Sequence, residues 1–146
     1  MSSHEPDMTA GTEAANIALL RRCYEWANRL MNGARDTVTR HDVEQFFAAD
    51  ASMVTNDVIK CQGIPAHVEH FEEIQRKTRS VIFHPFDIAV AQGERVGVYF
   101  KIDVKYADDR EGRIFIAGFF LVRDQRIVDF TEVAHFEGAE MRLENH

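Results

Sequence analysis

The sequence is poor in cysteine, in proline and in positive charge, and each shortage excludes a class of protein. Its 146 residues include two cysteines, three prolines, and 17 basic against 24 acidic residues, which gives a formal net charge of −7. Two cysteines build neither a disulfide framework nor a clustered metal motif, so we expect Cys23 and Cys61 to be buried, reduced thiols. The acidic excess repels phosphates and anionic lipid, so we expect no nucleic acid and no membrane among the partners.

Long apolar runs are also missing, although apolar residues are not. No run approaches the roughly 20 residues that cross a bilayer, and the opening "MSSHEPDMTAGTEAAN" lacks the blocks of a signal peptide. We therefore expect a cytoplasmic protein. The hydrophobic fraction of 45% and the length fit one packed domain. The small, polar start predicts a disordered tail over residues 1–11 and a single domain over residues 12–146.

Helical periodicity dominates the first half of the chain. Apolar residues recur at helical spacing up to Gly33, Thr39 with Asp42 forms a capping-box-like start, and Gly63 with Pro65 precedes a third periodic segment. Between the second and third helices, "ASMVTND" and "VIKCQG" are typical of a β-hairpin turning near Asn56 and Asp57. The predicted helices cover residues 12–33, residues 39–47 and residues 66–79.

From Val81 onward the apolar period changes from helical to two. "VIFHPFDIAV", "RVGVYFKIDVKYA", "GRIFIAGFFLV" and "RIVDFTEVAHF" predict four long strands, separated by turns short enough for antiparallel hairpins. The order is helix, helix, hairpin, helix and a four-strand meander. This order predicts the α+β class, with helices covering one face of a curved antiparallel sheet.

Four segments carry a resemblance to a known group of proteins. They are "MNG" at the end of the first helix, "VEQFFAADASMV", "CQGIPAHVEHF", and "RDQRIVDF" at the final strand. With this element order, the chain resembles the NTF2-like superfamily, which includes ketosteroid isomerase and SnoaL-like polyketide cyclases. The resemblance implies a cone-shaped, cystatin-like fold: three N-terminal helices packed on a curved mixed, mostly antiparallel sheet around an apolar pocket.

The resemblance also assigns the two faces of the sheet. It turns the even-numbered residues of 96–106 and 114–122 toward the pocket. The opposite set on the second of these strands, Phe115, Ala117, Phe119 and Leu121, is too apolar to face water as a continuous patch. We therefore expect a homodimer through the convex sheet face, which is a common arrangement in this superfamily.

Glu132 is the strongest candidate for chemistry. Alternation along "IVDFTEVAHF" places it with Val128, Phe130, Ala134 and Phe136, on the more apolar face of the strand. An acid in an apolar cavity loses hydration, so its pKa rises and it can act as general acid or base near neutrality. The alternatives are an ion pair with an arginine and a position at the pocket rim.

His84 is the second candidate. Alternation places it with Ile82, Phe86 and Ile88, and SnoaL-like proteins frequently have a histidine near this position. An inward imidazole would exchange protons with a ligand or pair with Glu132. The alternative is a histidine satisfied by a backbone carbonyl, on a strand that Pro85 makes irregular.

The remaining candidates are pocket-lining residues without an assigned reaction step. A tyrosine hydroxyl can polarise a carbonyl oxygen, although aromatic residues at this spacing are more often core. Two histidines three residues apart permit metal ligation but lack a third ligand, so no metal is expected. The expected lining residues are Tyr24, Trp26, Asn56, Asp57, His67, Phe71, Phe100, Tyr106, Gly118, Phe120 and Phe130.

The sequence departs from the ketosteroid isomerase pattern. Thr55, Trp26 and Gly118 stand where the resemblance would put that enzyme's base, tyrosine and protonated acid, so the isomerase mechanism is not carried over. Two hypotheses follow. The first is a cofactor-free SnoaL-like enzyme that isomerises, cyclises or dehydrates an apolar carbonyl compound. The second is a non-catalytic module that binds a small apolar ligand or only dimerises.

Overall fold

The structure, a computed structural model, describes residues 8–33 and 35–140, with side chains from residue 12 onward. Three helices and seven strands occur in these ranges. They are α1 (Met8–Met31), α2 (Arg40–Glu44), β1 (Phe47–Thr55), β2 (Val58–Gln62), α3 (Ile64–Lys77), β3 (Thr78–Phe83), β4 (Ile88–Gln92), β5 (Arg95–Tyr106), β6 (Glu111–Arg123) and β7 (Arg126–Gly138).

The long helix α1 begins earlier than its sequence signals predict. Residues 8–11, which we expected in a disordered tail, are helical, while residues 1–7 of that predicted tail lie outside the described residues. The helix ends at Met31, just before Gly33 in the left-handed conformation, as predicted. Leu19, Leu20 and Met31 are almost fully buried against the sheet, so α1 covers the concave side.

The two shorter helices follow their cap signals. The Thr39 side chain accepts a hydrogen bond from the Asp42 backbone N–H at 3.1 Å, as an N-cap does. However, α2 ends at Glu44, and Phe47, which we placed in this helix, already begins β1. Helix α3 begins after Gly63 with a proline in its first turn. It ends at Lys77, two residues before the predicted end.

The predicted hairpin of β1 and β2 is confirmed. Asn56 and Asp57 both have positive φ angles, 48° and 66°, which a two-residue type I′ turn requires. The pairing shifts register within the hairpin: Met53 lies opposite Cys61, and Val54 lies opposite Ile59. Lys60 is therefore an extra residue, a β-bulge in β2.

The sheet is curved, mixed and mostly antiparallel, as predicted. Its strand order is β2-β1-β7-β6-β5-β3, with β4 also pairing with β5, and only the pairing of β1 with β7 is parallel among these neighbours. The even-numbered residues of β5, and those of β6 from Ile114 to Val122, are buried, which confirms the predicted inward face. The helices and this concave face enclose the core.

One predicted strand is wrong. "VIFHPFDIAV" forms two strands, β3 and β4, which pair with opposite halves of β5 and are separated by residues 84–87. Pro85 has no N–H for a ladder hydrogen bond, so the strand is interrupted there. The inward face of the two strands is also the opposite one: Val81 is buried, whereas Ile82, Ile88 and Val90 are exposed. Phe86, which lies between the strands, does pack against the core as predicted. Alternation was ambiguous because both faces are apolar.

A second β-bulge changes the face assignment at the start of β7. Leu121 lies opposite Asp129 and Val122 lies opposite Ile127, so Val128 is the extra residue. Ile127 is consequently buried in the core, and our inward placement of Val128 is wrong. From Phe130 onward the predicted alternation holds.

Candidate functional site

A largely apolar cavity of about 430 Å³ lies between the helices and the concave sheet face. Its exposed lining residues, Asn56, Val58 and Glu140, mark the mouth at the β1–β2 turn and the end of the described chain. This volume suits a small organic ligand. The lining includes eight of the predicted site residues: Tyr24, Asn56, His67, Phe71, Phe100, Phe120, Phe130 and Glu132.

Glu132 lies on the concave face, close to the β1–β2 turn. On β7 it pairs with Thr55 of β1 on one side and with Gly118 of β6 on the other. Its exposed fraction is 8%, and the Thr55 hydroxyl donates a hydrogen bond to its Oε1 atom at 2.9 Å. This bond fixes one carboxyl oxygen to the wall of the cavity.

The carboxyl group of Glu132 titrates near neutral pH. Burial raises its pKa from 4.5 to about 7, while the Thr55 hydrogen bond and the charge of Lys60 act in the opposite direction. No arginine or lysine nitrogen lies within ion-pair distance of this carboxyl in the described part of the chain, so the ion-pair alternative is not found. A carboxyl with this pKa can both accept and release a proton at neutral pH.

Tyr24 brings a neutral hydroxyl to the same cavity. Its ring packs at centroid distances of 5.4 Å from Phe83, 5.6 Å from Phe86 and 4.8 Å from Phe100. Burial, and after it the charge of Glu132, raises the pKa of the phenol well above its usual value. The hydroxyl therefore keeps its proton and can donate a hydrogen bond to a ligand oxygen.

The two histidines of α3 also line the cavity, and His67 has a structural explanation. Its Nε2 lies 3.0 Å from the Ala51 carbonyl oxygen, and its ring stacks on Phe47 at 4.5 Å. Burial lowers the pKa of His67, so the ring is neutral and donates through Nε2 to that carbonyl. His70 is buried one helical turn further along.

Asn56 lies at the mouth but is held by the sheet. Its side-chain amide donates to the Ala134 carbonyl at 3.1 Å and accepts from the Ala134 N–H at 2.9 Å, while its own N–H bonds to the Glu132 carbonyl. The side chain thus continues the β1–β7 ladder beyond the end of β1. It anchors the strand segment that carries Glu132.

His84 does not reach the cavity, so its predicted inward orientation is wrong. It lies just after β3, and its Nε2 is 2.7 Å from Oδ2 of Asp103 on the outer face of the sheet. Arg113 also bonds to Asp103, and these partners, Arg113 first, lower the pKa of Asp103 to about 2. His84 and Glu132 are therefore on opposite faces of the sheet and do not form an acid–base pair.

We expect His84→Gln to leave turnover unchanged, because this side chain faces away from the cavity. The measurement is the initial rate of any reaction that depends on Glu132, compared with the wild-type protein. A rate lowered tenfold or more, in a variant with unchanged thermal stability, would contradict the placement of His84 outside the site.

Four further predicted lining residues lie elsewhere. Trp26 packs between Phe46 and Phe71 and does not line the cavity itself. Asp57 is exposed in the turn. Tyr106 donates its hydroxyl to the Ala139 carbonyl, at the edge of a separate depression. Gly118 lies behind two stacked rings, since a Cβ atom there would approach Phe130 at 3.1 Å.

Two polar residues that line the cavity were not predicted from the sequence. Thr55 appeared only as the residue in place of a ketosteroid isomerase base, and its bond to Glu132 depends on the parallel pairing of β1 with β7. Lys60 lines the cavity because of the bulge in β2, which no pattern in the sequence indicated.

Neither a metal-ligand cluster nor a membrane-spanning helix is found among the described residues. Within residues 8–33 and 35–140, no three histidine, cysteine or acidic side chains are grouped so as to hold a metal ion. In the same ranges, no helix has the combined length and apolar character needed to cross a bilayer.

Comparison with known proteins identifies the fold. No protein-family model and no curated protein matches the sequence. Among solved structures, an NTF2-like protein of unknown function from Burkholderia pseudomallei is 20% identical, with a TM-score of 0.67 over 84% of this chain and 91% of that one. A putative SnoaL-like polyketide cyclase from Jannaschia sp. CCS1 is 9% identical, with a TM-score of 0.67 over 92% and 91% of the two chains.

A third structure has the same architecture with a different name. An LEH-like epoxide hydrolase from M. tuberculosis is 13% identical, with a TM-score of 0.66 over 84% of each chain. Identities this low establish a shared fold and leave the reaction open. Together with the curved sheet and the enclosed cavity, these similarities show that the chain has the NTF2-like fold.

Proposed function

We propose that the protein is an enzyme that moves a proton on a small, apolar, carbonyl-bearing ligand, with Glu132 as the general acid and base. One observation carries the proposal: a carboxyl group with a pKa of about 7 faces an apolar cavity and is oriented there by Thr55. Burial of an ionisable group without an ion pair is costly, and such groups cluster at functional sites.

The proposed step is abstraction of a proton next to a carbonyl group. The Glu132 carboxylate takes the proton from the carbon, and the electron pair moves toward the carbonyl oxygen to form an enol-like intermediate. The Tyr24 hydroxyl donates a hydrogen bond to that oxygen and lowers the cost of its negative charge. Glu132 then returns the proton, to the same atom or to another, so the cycle balances without a redox cofactor.

Some of the similar structures have enzyme names, and they leave the reaction of this chain open. A putative SnoaL-like polyketide cyclase and an LEH-like epoxide hydrolase both share the fold, and both have the names of enzymes. Isomerisation, cyclisation and dehydration each fit a single acid–base group. The competing function is a module that binds an apolar ligand without turnover, because the cavity wall is mostly hydrophobic.

Deuterium exchange separates the two functions. A panel of small cyclic and aromatic ketones is incubated with the protein in D₂O, and exchange at the carbon next to the carbonyl is followed by ¹H NMR. The enzyme hypothesis predicts exchange that is lost in Glu132→Gln. Binding detected as ligand shifts, with no exchange above the buffer rate for any bound ketone, would support the binding module instead.

We further propose that the convex sheet face forms a homodimer. Two neighbouring rows cross this face, Ile88–Tyr99–Ala117–Val133 and Val90–Gly97–Phe119–Thr131, and they make one apolar patch. The exposed fractions are 56% for Ile88, 61% for Val90, 60% for Phe119 and 58% for Val133. The Asp103–Arg113 and Glu94–Arg123 ion pairs flank the patch, so its rim presents both signs of charge to a second copy.

Phe119→Asp is expected to weaken this dimer by roughly 30-fold or more, because it places a charge at the centre of an apolar interface. Sedimentation velocity over a micromolar concentration series measures the effect. The matched control is Ile59→Asp, which changes an equally exposed apolar residue on the edge strand β2. A monomeric wild-type protein throughout the series would refute the dimer.

A further inference from the structure

The bulge in β2 gives Lys60 an unusual direction. Ile59, opposite Val54, is 56% exposed, while Cys61, opposite Met53, is fully buried. In a regular strand these two residues would share a face, so the orientation reverses at the extra residue between them. Lys60 is half-buried and lines the cavity instead of continuing the exposed surface of the strand.

Lys60 supplies a positive charge to a cavity in which burial keeps several other ionisable side chains neutral. Burial raises the pKa of Cys23 to about 12 and that of Tyr24 well above its usual value, so both keep their protons. His67 on α3 is neutral because burial lowers its pKa. Of the remaining ionisable lining residues, His70 lies on α3, and Glu140 lies at the mouth with the same sign of charge as Glu132.

No other lysine and no arginine lines this cavity in the described part of the chain. The field of Lys60 reaches Glu132, and it acts to lower the pKa that burial raises. Burial and then the charge of Glu73 raise the pKa of Cys61, the neighbour of Lys60. Lys60 lowers this pKa and Glu132 raises it, so both charges act at Cys61. In a water-poor cavity such an interaction is screened less than at the surface.

We propose that Lys60 is a positioning residue of this site: its side chain lines the cavity beside the bulge, and its positive charge stabilises the ionised form of Glu132 and keeps this carboxylate available as a base at neutral pH. The inference rests on the proposed function of Glu132. Without Lys60, burial favours the protonated carboxyl, which can donate a proton but cannot accept one. The Thr55 hydrogen bond lowers the pKa of Glu132 more strongly, and the charge of Lys60 adds to it, moving the balance further toward the carboxylate.

A direct titration of Glu132 tests the inference in the unliganded protein. The side-chain carboxyl carbons of glutamate are labelled with ¹³C, and the Glu132 signal is assigned by its disappearance in Glu132→Gln. Lys60→Met keeps the length of the aliphatic stem and removes the charge, and it should raise the titration midpoint by about one pH unit. Lys60→Arg, which keeps the charge, should leave the midpoint near its wild-type value.

The matched control is Lys105→Met, which removes the same charge from an exposed position on the outer face of β5. If Lys105→Met moves the midpoint as much as Lys60→Met does, net charge explains the effect and the inference is wrong. An unmoved midpoint in Lys60→Met also overturns it. If Lys60→Met proves unstable, Lys60→Gln is titrated in its place, with the same expected shift.

The titration also separates this inference from the proposed function. If the midpoint moves and no ketone exchanges deuterium, the proton-transfer function fails while the effect of Lys60 on Glu132 stands. If exchange is found, the rising limb of its pH–rate profile should move to higher pH in Lys60→Met together with the titration midpoint. If the rising limb of the profile does not move in Lys60→Met, Lys60 does not influence the ionisation of the base in the reaction.

Discussion

Replacing Glu132 by glutamine should lower the rate of proton exchange by about 10²–10⁴-fold, the usual contribution of a general acid–base group. Glutamine has nearly the same shape, and its Oε1 can still accept the Thr55 hydrogen bond that holds the carboxyl. It cannot take up a proton from a carbon atom. The change therefore removes the chemistry while it preserves the wall of the cavity.

The second measurement on Glu132→Gln is its affinity for the ligand. Because the cavity is lined mainly by apolar side chains, we expect Glu132→Gln to bind the same ketone within several-fold of the wild-type dissociation constant. The control is Glu137→Gln, an exposed acid on the same strand, which should retain the full rate. Equal exchange rates in Glu132→Gln and wild type would refute the role of Glu132.

The same variant should be more stable than the wild type above neutral pH. The pKa of Glu132 is about 7 in the folded protein and near 4.5 in the unfolded chain, so the folded state holds this proton more tightly. The free energy of unfolding therefore falls as pH rises from about 4.5 through about 7. Above this window, the buried carboxylate costs on the order of 3 kcal/mol, a penalty that glutamine does not have.

Urea unfolding at several pH values between 5 and 8.5 measures this difference. The stability of Glu132→Gln relative to wild type should increase across the series and level off above about pH 8. The stability difference between Glu137→Gln and wild type should stay the same across the series, because the Glu137 carboxyl is exposed. A difference between Glu132→Gln and wild type that does not change with pH would mean that Glu132 titrates normally in the folded protein. Slower exchange and higher stability in Glu132→Gln would together show that the carboxyl group that transfers the proton also destabilises the folded protein.

Local patterns predicted the elements that depend on neighbouring residues. The Thr39 cap, the turn at Asn56 and Asp57, and the left-handed Gly33 each satisfy a backbone requirement within a few residues. Strands β5 and β6 were equally predictable, because strict alternation distinguishes a buried face from a partly exposed one. The start of α1 and the end of α2 were not, since no strong cap marks either boundary.

The candidate site was predictable where the alternation was clear and not where the backbone departs from it. Glu132 follows Phe130 in a regular stretch of β7, so its inward orientation could be predicted. His84 follows a segment that is apolar on both faces and precedes Pro85, and its orientation was predicted wrongly. Thr55 and Glu132 are 77 positions apart in sequence, so local patterns do not indicate the hydrogen bond between them.

The sequence by itself determined the α+β class, the curved antiparallel meander and an inward acid on the last strand, because short-range periodicity and turn chemistry specify each of them. Tertiary structure decided what surrounds that acid. The parallel pairing of β1 with β7 brings Thr55 to its carboxyl, the bulge in β2 turns Lys60 into its cavity, and the break at Pro85 leaves His84 on the other face. Register and bulges depend on how strands pair with one another, which the alternation along a single strand does not specify.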